Sequence, residues 1–297
     1  ADITEKCTEE FNTIAIWCSN EKCDAIYPQS ADFTFYGGLY RGAHLICVPE
    51  THFELLHYGD LGIHAATEPA SWDKEDFMLH IRTKICGVEK DNQVIYQIFD
   101  EDGKEVASAA RPADSPDTSI PLYKPHRWDI KNSYQYTLKA LIMRNNECLD
   151  EVELKFGVRT FCCDPGRGFL INGNCVPLRG VSRHQDKLYQ GNALTKEDHI
   201  RDAELIEEIG ANTVRLAHYQ HAQEFYNECD KRGFVVWAEI PFISVMNEDP
   251  LAHENCITQL KELIYQNDHH PSICFWGISN EILIGGISEK LVENHRE

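Results

Sequence analysis

The stretch that decides the fold is residues 269–281, "HHPSICFWGISNE". Its middle is apolar from Ile273 to Ile278, as expected of a strand in a parallel sheet that is covered on both faces. The stretch then ends on Asn280 and Glu281, an amide and a carboxylate that are costly to bury without partners. We therefore predict a buried parallel strand whose last residues belong to a functional site.

Three more strands precede this one, and helices separate them. The strands are predicted at 175–182 ("CVPLRGVS"), 212–219 ("NTVRLAHY") and 234–242 ("FVVWAEIPF"), and the fourth is 272–279. Helices are predicted at 195–210, at 221–232 and from Asp249 and Pro250 onward. Thr195 with Asp198 three residues later is typical of a helix start. Four β/α units in sequence predict parallel strands joined by helical crossovers.

Each of the four predicted strands ends on polar residues. They are, in order, Arg183, His184 and Asp186; Arg215 and His218; Glu239; and Asn280 and Glu281. Ligands bind at the carboxyl ends of the strands in such folds. We therefore predict that these side chains converge on one binding or catalytic site.

The residues before about 160 have the pattern of β-structure. The segment 77–86 ("FMLHIRTKIC") alternates apolar and polar residues, and 134–143 and 152–156 do the same. "DEDG" between two such runs predicts a hairpin, and the Pro-rich stretch 111–125 is interpreted as a loop. Several short strands with turns between them predict an antiparallel sandwich.

The first 65 residues have a different pattern. Strands are predicted at 11–18 ("FNTIAIWC") and 39–48 ("LYRGAHLICV"), with the aromatic and glycine-rich "ADFTFYGG" between them. These strands are too few to close a sheet, so we interpret them as the rest of a domain whose beginning is missing. The predicted domains are 1–66, 67–160 and 161–297.

Composition excludes several classes of partner. Lys and Arg number 28 against 48 Asp and Glu, for a net charge of −20, which argues against nucleic acid and anionic membranes. No apolar run approaches the roughly 18 residues of a membrane span. The first residues do not resemble a signal peptide, and the twelve cysteines lack a C-x-x-C pair, so we predict a cytoplasmic protein with reduced core thiols.

These motifs resemble glycoside hydrolase family 2, the β-galactosidase and β-glucuronidase family. "HHPSICFWGISNE" is similar to its acid/base motif, "NTVRLAHY" to its second barrel strand and "FLINGNCVPLRGVSRHQD" to its entry into the barrel. "DFTFYGGLYR" and "LDEVELKFGVRTF" resemble the ends of its two β-domains. The resemblance implies a multidomain fold: part of a sugar-binding jelly roll, an immunoglobulin-like β-sandwich and the first half of a (β/α)8 TIM barrel.

The resemblance also implies a retaining β-glycosidase with two carboxyl groups. It makes Glu281 the general acid/base and gives Asn280 a hydrogen bond to the sugar 2-hydroxyl. It places Arg215 near the nucleophile. The substrate-binding residues it implies are Asn280, Arg215, His218, His184 and Asp32. For each of these five a purely structural role is the alternative, and for Trp237 and Trp276 core packing is predicted.

The sequence departs from the family in two ways. Glu239 is followed by Ile240, Pro241 and Phe242 where some members hold magnesium, so no metal site or other cofactor is predicted, although magnesium or sodium stays open. The family nucleophile, a Glu on the seventh strand, is expected beyond the chain end, and Asp186 or Glu239 is the alternative second carboxylate.

Two classes of function therefore stay open. The first is a piece of an exo-β-glycosidase, with a β-galactoside preferred as substrate, a β-glucuronide as alternative and a homo-oligomer expected for the full-length enzyme. The second is a carbohydrate-binding or structural module that has lost catalysis.

Overall fold

A computed structural model describes residues 1–28, 30–284 and 286–296. The strands are β1 His52–Phe53, β2 Ile63–Pro69, β3 Phe77–Thr83, β4 Ile85–Cys86, β5 Gln93–Phe99, β6 Glu105–Pro112, β7 Thr118–Leu122, β8 Tyr136–Arg144, β9 Glu147–Phe156, β10 Phe161–Asp164, β11 Gly168–Ile171, β12 Asn174–Cys175, β13 Gly180–Arg183, β14 Thr213–Leu216, β15 Val235–Glu239 and β16 Ile273–Gly277. The helices are α1 Lys196–Glu208, α2 Gln223–Arg232, α3 Pro250–Asn267 and α4 Glu289–Asn294, and a 3₁₀ turn covers Thr4–Lys6.

The middle of the chain is a sandwich of two antiparallel sheets, in the orders β2-β3-β7 and β6-β5-β8-β9. Alternate residues of both sheets, such as Leu79 and Leu138, are fully buried in one common core. The alternation in the sequence therefore predicts the sandwich correctly. One prediction is wrong: β7 lies inside the Pro-rich stretch assigned to a loop. It is an edge strand, where Pro121 does not have to donate a ladder hydrogen bond.

The last part of the chain contains four parallel strands in the order β13-β14-β15-β16. Val214 and Leu216 pack with buried residues of the helices, such as Phe225. Because side chains alternate along a strand, Arg215 points to the opposite face of the sheet. This face is the interior of the predicted barrel.

The helix boundaries follow the predicted signals. Thr195 accepts a hydrogen bond from the backbone N–H of Asp198, and the Asp198 carboxylate accepts one from the N–H of Thr195, so α1 begins with a capping box. Gly233 ends α2 in the left-handed conformation that glycine adopts readily, at a φ of 69°. Asp249 caps α3 by accepting from the N–H of Leu251. No helix in the described part of the chain is both long and apolar enough to cross a membrane.

The strands predicted at 11–18 and 39–48 are wrong. The described residues between the 3₁₀ turn and β1 form no strand, and Phe11 and Trp17 are 88% and 91% exposed. A strand needs hydrogen bonds to a neighbour and a surface on which to bury its apolar face, and neither lies beside these residues in the described structure. Both segments are rich in β-branched and aromatic residues, but that composition alone does not supply a partner strand.

The cysteine prediction is only partly correct. All twelve cysteines are free thiols. Cys229, Cys256 and Cys274 are buried, whereas eight others are exposed and Cys86 is intermediate. The interpretation as core thiols is therefore wrong for most of them, because several stand in the irregular first segment or on the solvent side of short strands.

Candidate active site

Four side chains meet at the carboxyl ends of β14, β15 and β16, and we call them the Arg215 cluster: Arg215, His218, Glu239 and Asn280. Arg215 donates from Nε to Oε2 of Glu239 at 3.0 Å and from Nη2 to Oε1 at 2.8 Å. The same Nη2 donates to Oδ1 of Asn280 at 2.7 Å. His218 Nδ1 donates to Oε1 of Glu239 at 2.7 Å. The polar strand ends predicted to converge therefore do so for these four residues. The prediction is wrong for Arg183, whose buried guanidinium donates to a carboxylate of α1 on the helix side of the sheet.

Glu239 is the centre of the Arg215 cluster and is only 1% exposed. Burial alone would raise the pKa of its carboxyl. The hydrogen bonds and charges of His218 and Arg215 outweigh burial and hold this pKa below its usual value of 4.5. Glu239 is therefore an ionised carboxylate at neutral pH, and its two oxygens are occupied by Arg215 and His218.

Arg215 fixes the orientation of the side-chain amide of Asn280. Because its Oδ1 accepts from the guanidinium, its amide Nδ2 is the group that remains to donate to a ligand. The backbone of Asn280 is also held, since its N–H donates to the carbonyl of Phe242 at 2.9 Å and its carbonyl accepts from the N–H of Ser244 at 3.0 Å. The segments after β15 and β16 are thus joined at this point.

Glu281 follows Asn280 directly and has an exposed side chain. Its backbone is left-handed, with a φ of 52°, and its carbonyl accepts from the N–H of Ile284 at 3.1 Å. Non-glycine residues adopt this conformation rarely, and such strain is common at functional sites. The turn leaves the carboxyl group of Glu281 exposed to solvent, one residue after Asn280 of the Arg215 cluster.

An aromatic side chain from the first segment reaches the same region. The Phe33 ring lies 5.0 Å from that of His184, 5.7 Å from that of His218 and 5.5 Å from that of Tyr219, measured between centroids. Burial and the neighbouring His218 hold the pKa of His184 below its usual range, while the Asp32 charge acts in the opposite direction. The structure therefore brings His184 to the site, with its ring centroid 5.3 Å from that of His218, and the charge of the exposed Asp32 acts on it. Phe33 and Tyr219 were missed, although both adjoin residues that were predicted.

The prediction for Trp237 as a core residue is wrong. It is 41% exposed and stacks on Phe275 at a centroid distance of 5.7 Å, on the same face of the sheet as Arg215. The alternation along β15 contains the signal, because Trp237 and Glu239 are two residues apart and share a face. Trp276 is half-buried and packs against the helix-side core, as predicted.

Gly277 allows Trp237 and Glu239 to approach the last strand closely. A Cβ at this position would lie 2.3 Å from Nε1 of Trp237 and 2.7 Å from Cβ of Glu239. Both contacts are shorter than van der Waals separations, so Glu239 or Trp237 would have to move. The glycine is therefore part of the geometry of the Arg215 cluster.

We expect Gly277→Ala to destabilise the protein by about 1–3 kcal/mol, which is the usual cost of overpacking. Urea unfolding of the whole protein measures this effect. Gly166→Ala is the matched control, since its Cβ would be 3.5 Å from the nearest atom, Oδ1 of Asp164, which is an ordinary contact. Equal unfolding midpoints for the two variants would contradict the packing argument.

The residues after β15 do not fit a magnesium site. Ile240, Pro241 and Phe242 are buried and offer no side-chain oxygen, and both oxygens of Glu239 are occupied within the Arg215 cluster. Magnesium requires several oxygen ligands in near-octahedral geometry. No step of the chemistry is therefore assigned to a metal at this position.

Two models of one protein family match the chain. The model described as "Glycosyl hydrolases family 2, TIM barrel domain" matches residues 165–297, and the model described as "Glycosyl hydrolases family 2" matches residues 69–159. The four parallel strands with their helices and the preceding sandwich lie within these matches. The chain belongs to glycosyl hydrolases family 2.

Relatives with two different activities are similar to the chain. A beta-glucuronidase of Bacteroides fragilis is 34% identical over 290 residues, which cover 92% of this chain and 41% of that protein. A beta-galactosidase of Bacteroides ovatus is 29% identical over 245 residues, which cover 77% of this chain and 28% of that protein. The crystal structure of an FMN-binding beta-glucuronidase from Facaelibacterium prausnitzii L2-6 has 53% identity and a TM-score of 0.91, over 93% of this chain and 43% of that chain. The chain thus spans less than half the length of each of these relatives.

Proposed function

We propose that the protein is a retaining β-glycosidase that removes terminal glucuronic acid from β-glucuronides. The observation that carries the proposal is the Arg215 cluster beside Glu281, in a chain that is 53% identical to a beta-glucuronidase. The β-galactoside predicted from the sequence is the second candidate, because beta-galactosidases are also among the relatives.

In this mechanism Glu281 acts first as an acid and then as a base. Its proton passes to the glycosidic oxygen while the bond to the anomeric carbon breaks, and the alcohol leaves. A second carboxylate attacks the anomeric carbon from the opposite face and forms a covalent intermediate. Glu281 then removes a proton from water, which attacks the anomeric carbon and releases the sugar. The exposed position of Glu281 supports exchange of leaving group and water at its carboxyl.

Asn280 and Arg215 are proposed to hold the sugar rather than to transfer protons. With its oxygen turned to Arg215, Asn280 donates from Nδ2 to the sugar 2-hydroxyl, a contact expected to strengthen in the transition state. Glu239 is a poor candidate for the attacking carboxylate, because Arg215 and His218 already occupy it. By the family resemblance the nucleophile is a Glu on the seventh barrel strand, so we propose that a part of the whole protein other than residues 1–297 supplies it, with Asp186 as the remaining alternative.

The remaining assignments are also proposals. We propose that residues 67–160 are an immunoglobulin-like domain and that residues 1–66 end a sugar-binding jelly roll, as the contact of Phe33 with His184 supports. The two carboxyl groups supply the complete hydrolytic chemistry, so no cofactor is proposed for the reaction. A homo-oligomer and a cytoplasmic location stay predictions.

A substrate comparison tests this function. We expect the whole protein to hydrolyse 4-nitrophenyl β-glucuronide with a kcat/KM at least ~10²-fold above that for the β-galactoside, since a site built to bind a polar substrate group rejects the analogue that lacks it. Proton NMR should show the β-anomer of the sugar as the first product. A preference for the galactoside would make the second candidate correct. If the protein hydrolyses neither substrate but still binds the sugar, the non-catalytic module is favoured.

A further inference from the structure

A second cluster of polar side chains lies away from the Arg215 cluster, and we call it the His57 cluster: His57, Asp60, His64 and Asp268. Nδ1 of His57 lies 2.7 Å from Oδ2 of Asp60, and Nε2 of His64 lies 3.0 Å from the same oxygen. These three ligand atoms all lie within 4.8 Å of one another. Asp60 and His64 are buried and His57 is half-buried. Two imidazole nitrogens and one carboxylate oxygen thus point at one small volume.

The backbone before β2 holds the first two of these residues in place. Residues 57–60 form a tight turn in which the N–H of Asp60 donates to the carbonyl of His57 at 3.1 Å. Tyr58 and Gly59 have φ values of 53° and 71°, a left-handed pair that is strained for a tyrosine. The turn brings residues 57 and 60 together, and His64 follows in β2, where it reaches Asp60. The main chain therefore determines that these three residues lie close together.

The turn also packs against the barrel half. Tyr58 stacks on Tyr265 of α3 at a centroid distance of 5.4 Å, and Gln266 donates from Nε2 to the Tyr58 carbonyl at 2.6 Å. The Tyr265 ring contacts those of His57 and His64 edge-on, at 4.5 Å and 5.2 Å. Aromatic rings therefore cover the cluster on one side and fix the planes of both imidazoles.

Outer contacts orient two of the three ligand residues, Asp60 and His64. Oδ1 of Asp60 accepts from the N–H of Gly62 at 2.8 Å, which leaves Oδ2 for the cluster. The far nitrogen of His64, Nδ1, lies 3.0 Å from Oδ2 of Asp268, just after α3. A carboxylate on the second nitrogen is the usual support of a metal-binding histidine. The other oxygen of Asp268, Oδ1, is buried without a hydrogen-bond partner among the described residues, so negative charge at this position is incompletely compensated.

We propose that the His57 cluster binds one Zn²⁺ ion, with Nδ1 of His57, Oδ2 of Asp60 and Nε2 of His64 as ligands. Ligand atoms of a tetrahedral zinc site stand about 3.3 Å apart, given bonds of roughly 2.0–2.1 Å. The distance from His57 to Asp60 therefore has to widen by about 0.6 Å and that from His64 to Asp60 by about 0.3 Å. The two imidazole nitrogens, which lie within 4.8 Å of each other, have to reach the same separation of about 3.3 Å. In the ion-free protein the imidazole N–H groups occupy the place of the ion.

The site has an access route and a structural effect. A cavity of about 430 Å³ borders it, with Asp60, Gly59 and His269 on its wall, and can supply water as the fourth ligand. Because Asp268 belongs to the barrel half and Asp60 to the segment before β2, the ion would stabilise the contact between the sandwich and the barrel. The proposal does not depend on the glycosidase activity, since these residues lie outside the Arg215 cluster.

Zinc titration of the whole protein tests this inference. We expect inductively coupled plasma mass spectrometry, after gel filtration, to find one more Zn²⁺ per chain in the wild type than in His57→Gln. His80→Gln is the matched control, because His80 bonds Glu68 and Ser119 on the exposed side of the sandwich. This control should bind as the wild type does. Asp268→Asn should retain the stoichiometry and weaken affinity by about 10–100-fold.

Co²⁺ provides a test that does not need a variant. Added to the wild type, it should produce the visible absorption bands of a four-coordinate nitrogen and oxygen site, and Zn²⁺ should abolish them. If the wild type binds no Zn²⁺ beyond the content of His57→Gln, or if Co²⁺ produces no such bands, the cluster is a hydrogen-bonded fastening without an ion and the proposal is wrong.

Discussion

Replacing Glu281 with Gln in the whole protein is expected to lower kcat on unactivated glycosides by about 10²–10⁴-fold, the usual contribution of a general acid. Gln keeps the size of the side chain but carries no transferable proton. Substrates with nitrophenol leaving groups need less protonation, so their first step should be affected less. Steady-state kinetics on an alkyl glycoside and on a 4-nitrophenyl glycoside measure the difference.

Rescue of the Glu281→Gln variant by azide is the decisive part of this experiment. A small anion can replace the water that Glu281 activates in the second step, so azide should partly restore turnover of the nitrophenyl substrate and yield a glycosyl azide. Glu289→Gln, another exposed residue nearby in α4, is the control and should behave as wild type. A near-wild-type rate of Glu281→Gln on the alkyl glycoside would exclude Glu281 as the acid/base.

Replacing Glu239 with Gln is expected to damage both stability and activity. The amide retains one acceptor oxygen, and its NH2 group takes the place of the other oxygen. Either Nε of Arg215 at the Oε2 position, or Nη2 of Arg215 together with His218 at the Oε1 position, therefore loses its acceptor in a buried place. Breaking a buried ion pair costs about 3–5 kcal/mol, and the effect should lie at the lower end because the Arg215 side chain is 34% exposed. Loss of the fixed Asn280 orientation should reduce kcat/KM by about 10²-fold.

The destabilisation caused by Glu239→Gln should become smaller at low pH. The pKa of the Glu239 carboxyl is lower in the folded protein than its ordinary value of 4.5. The stabilisation that the ionised carboxylate provides is therefore complete above pH 4.5, and it is lost as the pH falls through the lower pKa of the folded state. The difference in unfolding free energy between wild type and Glu239→Gln should therefore shrink below pH 4.5. Glu68→Gln, which removes an exposed partner of His80, should cost at most about 1 kcal/mol. A pH-independent difference for Glu239→Gln would contradict the ion-pair account.

The sequence predicted most of the barrel half because its signals are local. The capping box of Thr195 and Asp198 and the left-handed Gly233 each act within one turn of helix. The convergence of Arg215 and Asn280 follows from a rule about parallel strands, so it could also be predicted without a structure. The family matches confirm the resemblance on which the fold expectation rested.

The features that were missed depend on contacts between distant parts of the chain. Phe33 reaches His184 across about 150 residues of sequence, and no local pattern indicates that contact. The strands predicted at 11–18 and 39–48 failed for the same reason, since a strand exists only with a partner. The His57 cluster joins a tight turn to Asp268, 204 residues beyond His64, and its residues carry no short motif that would identify it.

The crystal structure of the whole protein with a sulfur-linked aryl β-glucuronide, which cannot be cleaved, tests the central claim most directly. The account predicts the sugar at the carboxyl ends of β14, β15 and β16, with its 2-hydroxyl at hydrogen-bond distance, roughly 2.7–3.2 Å, from Nδ2 of Asn280. The carboxyl of Glu281 should lie beside the linking sulfur, and Arg215 should still hold Glu239. A sugar bound elsewhere, or one in this place with Glu281 turned away from the sulfur, would contradict the assignment.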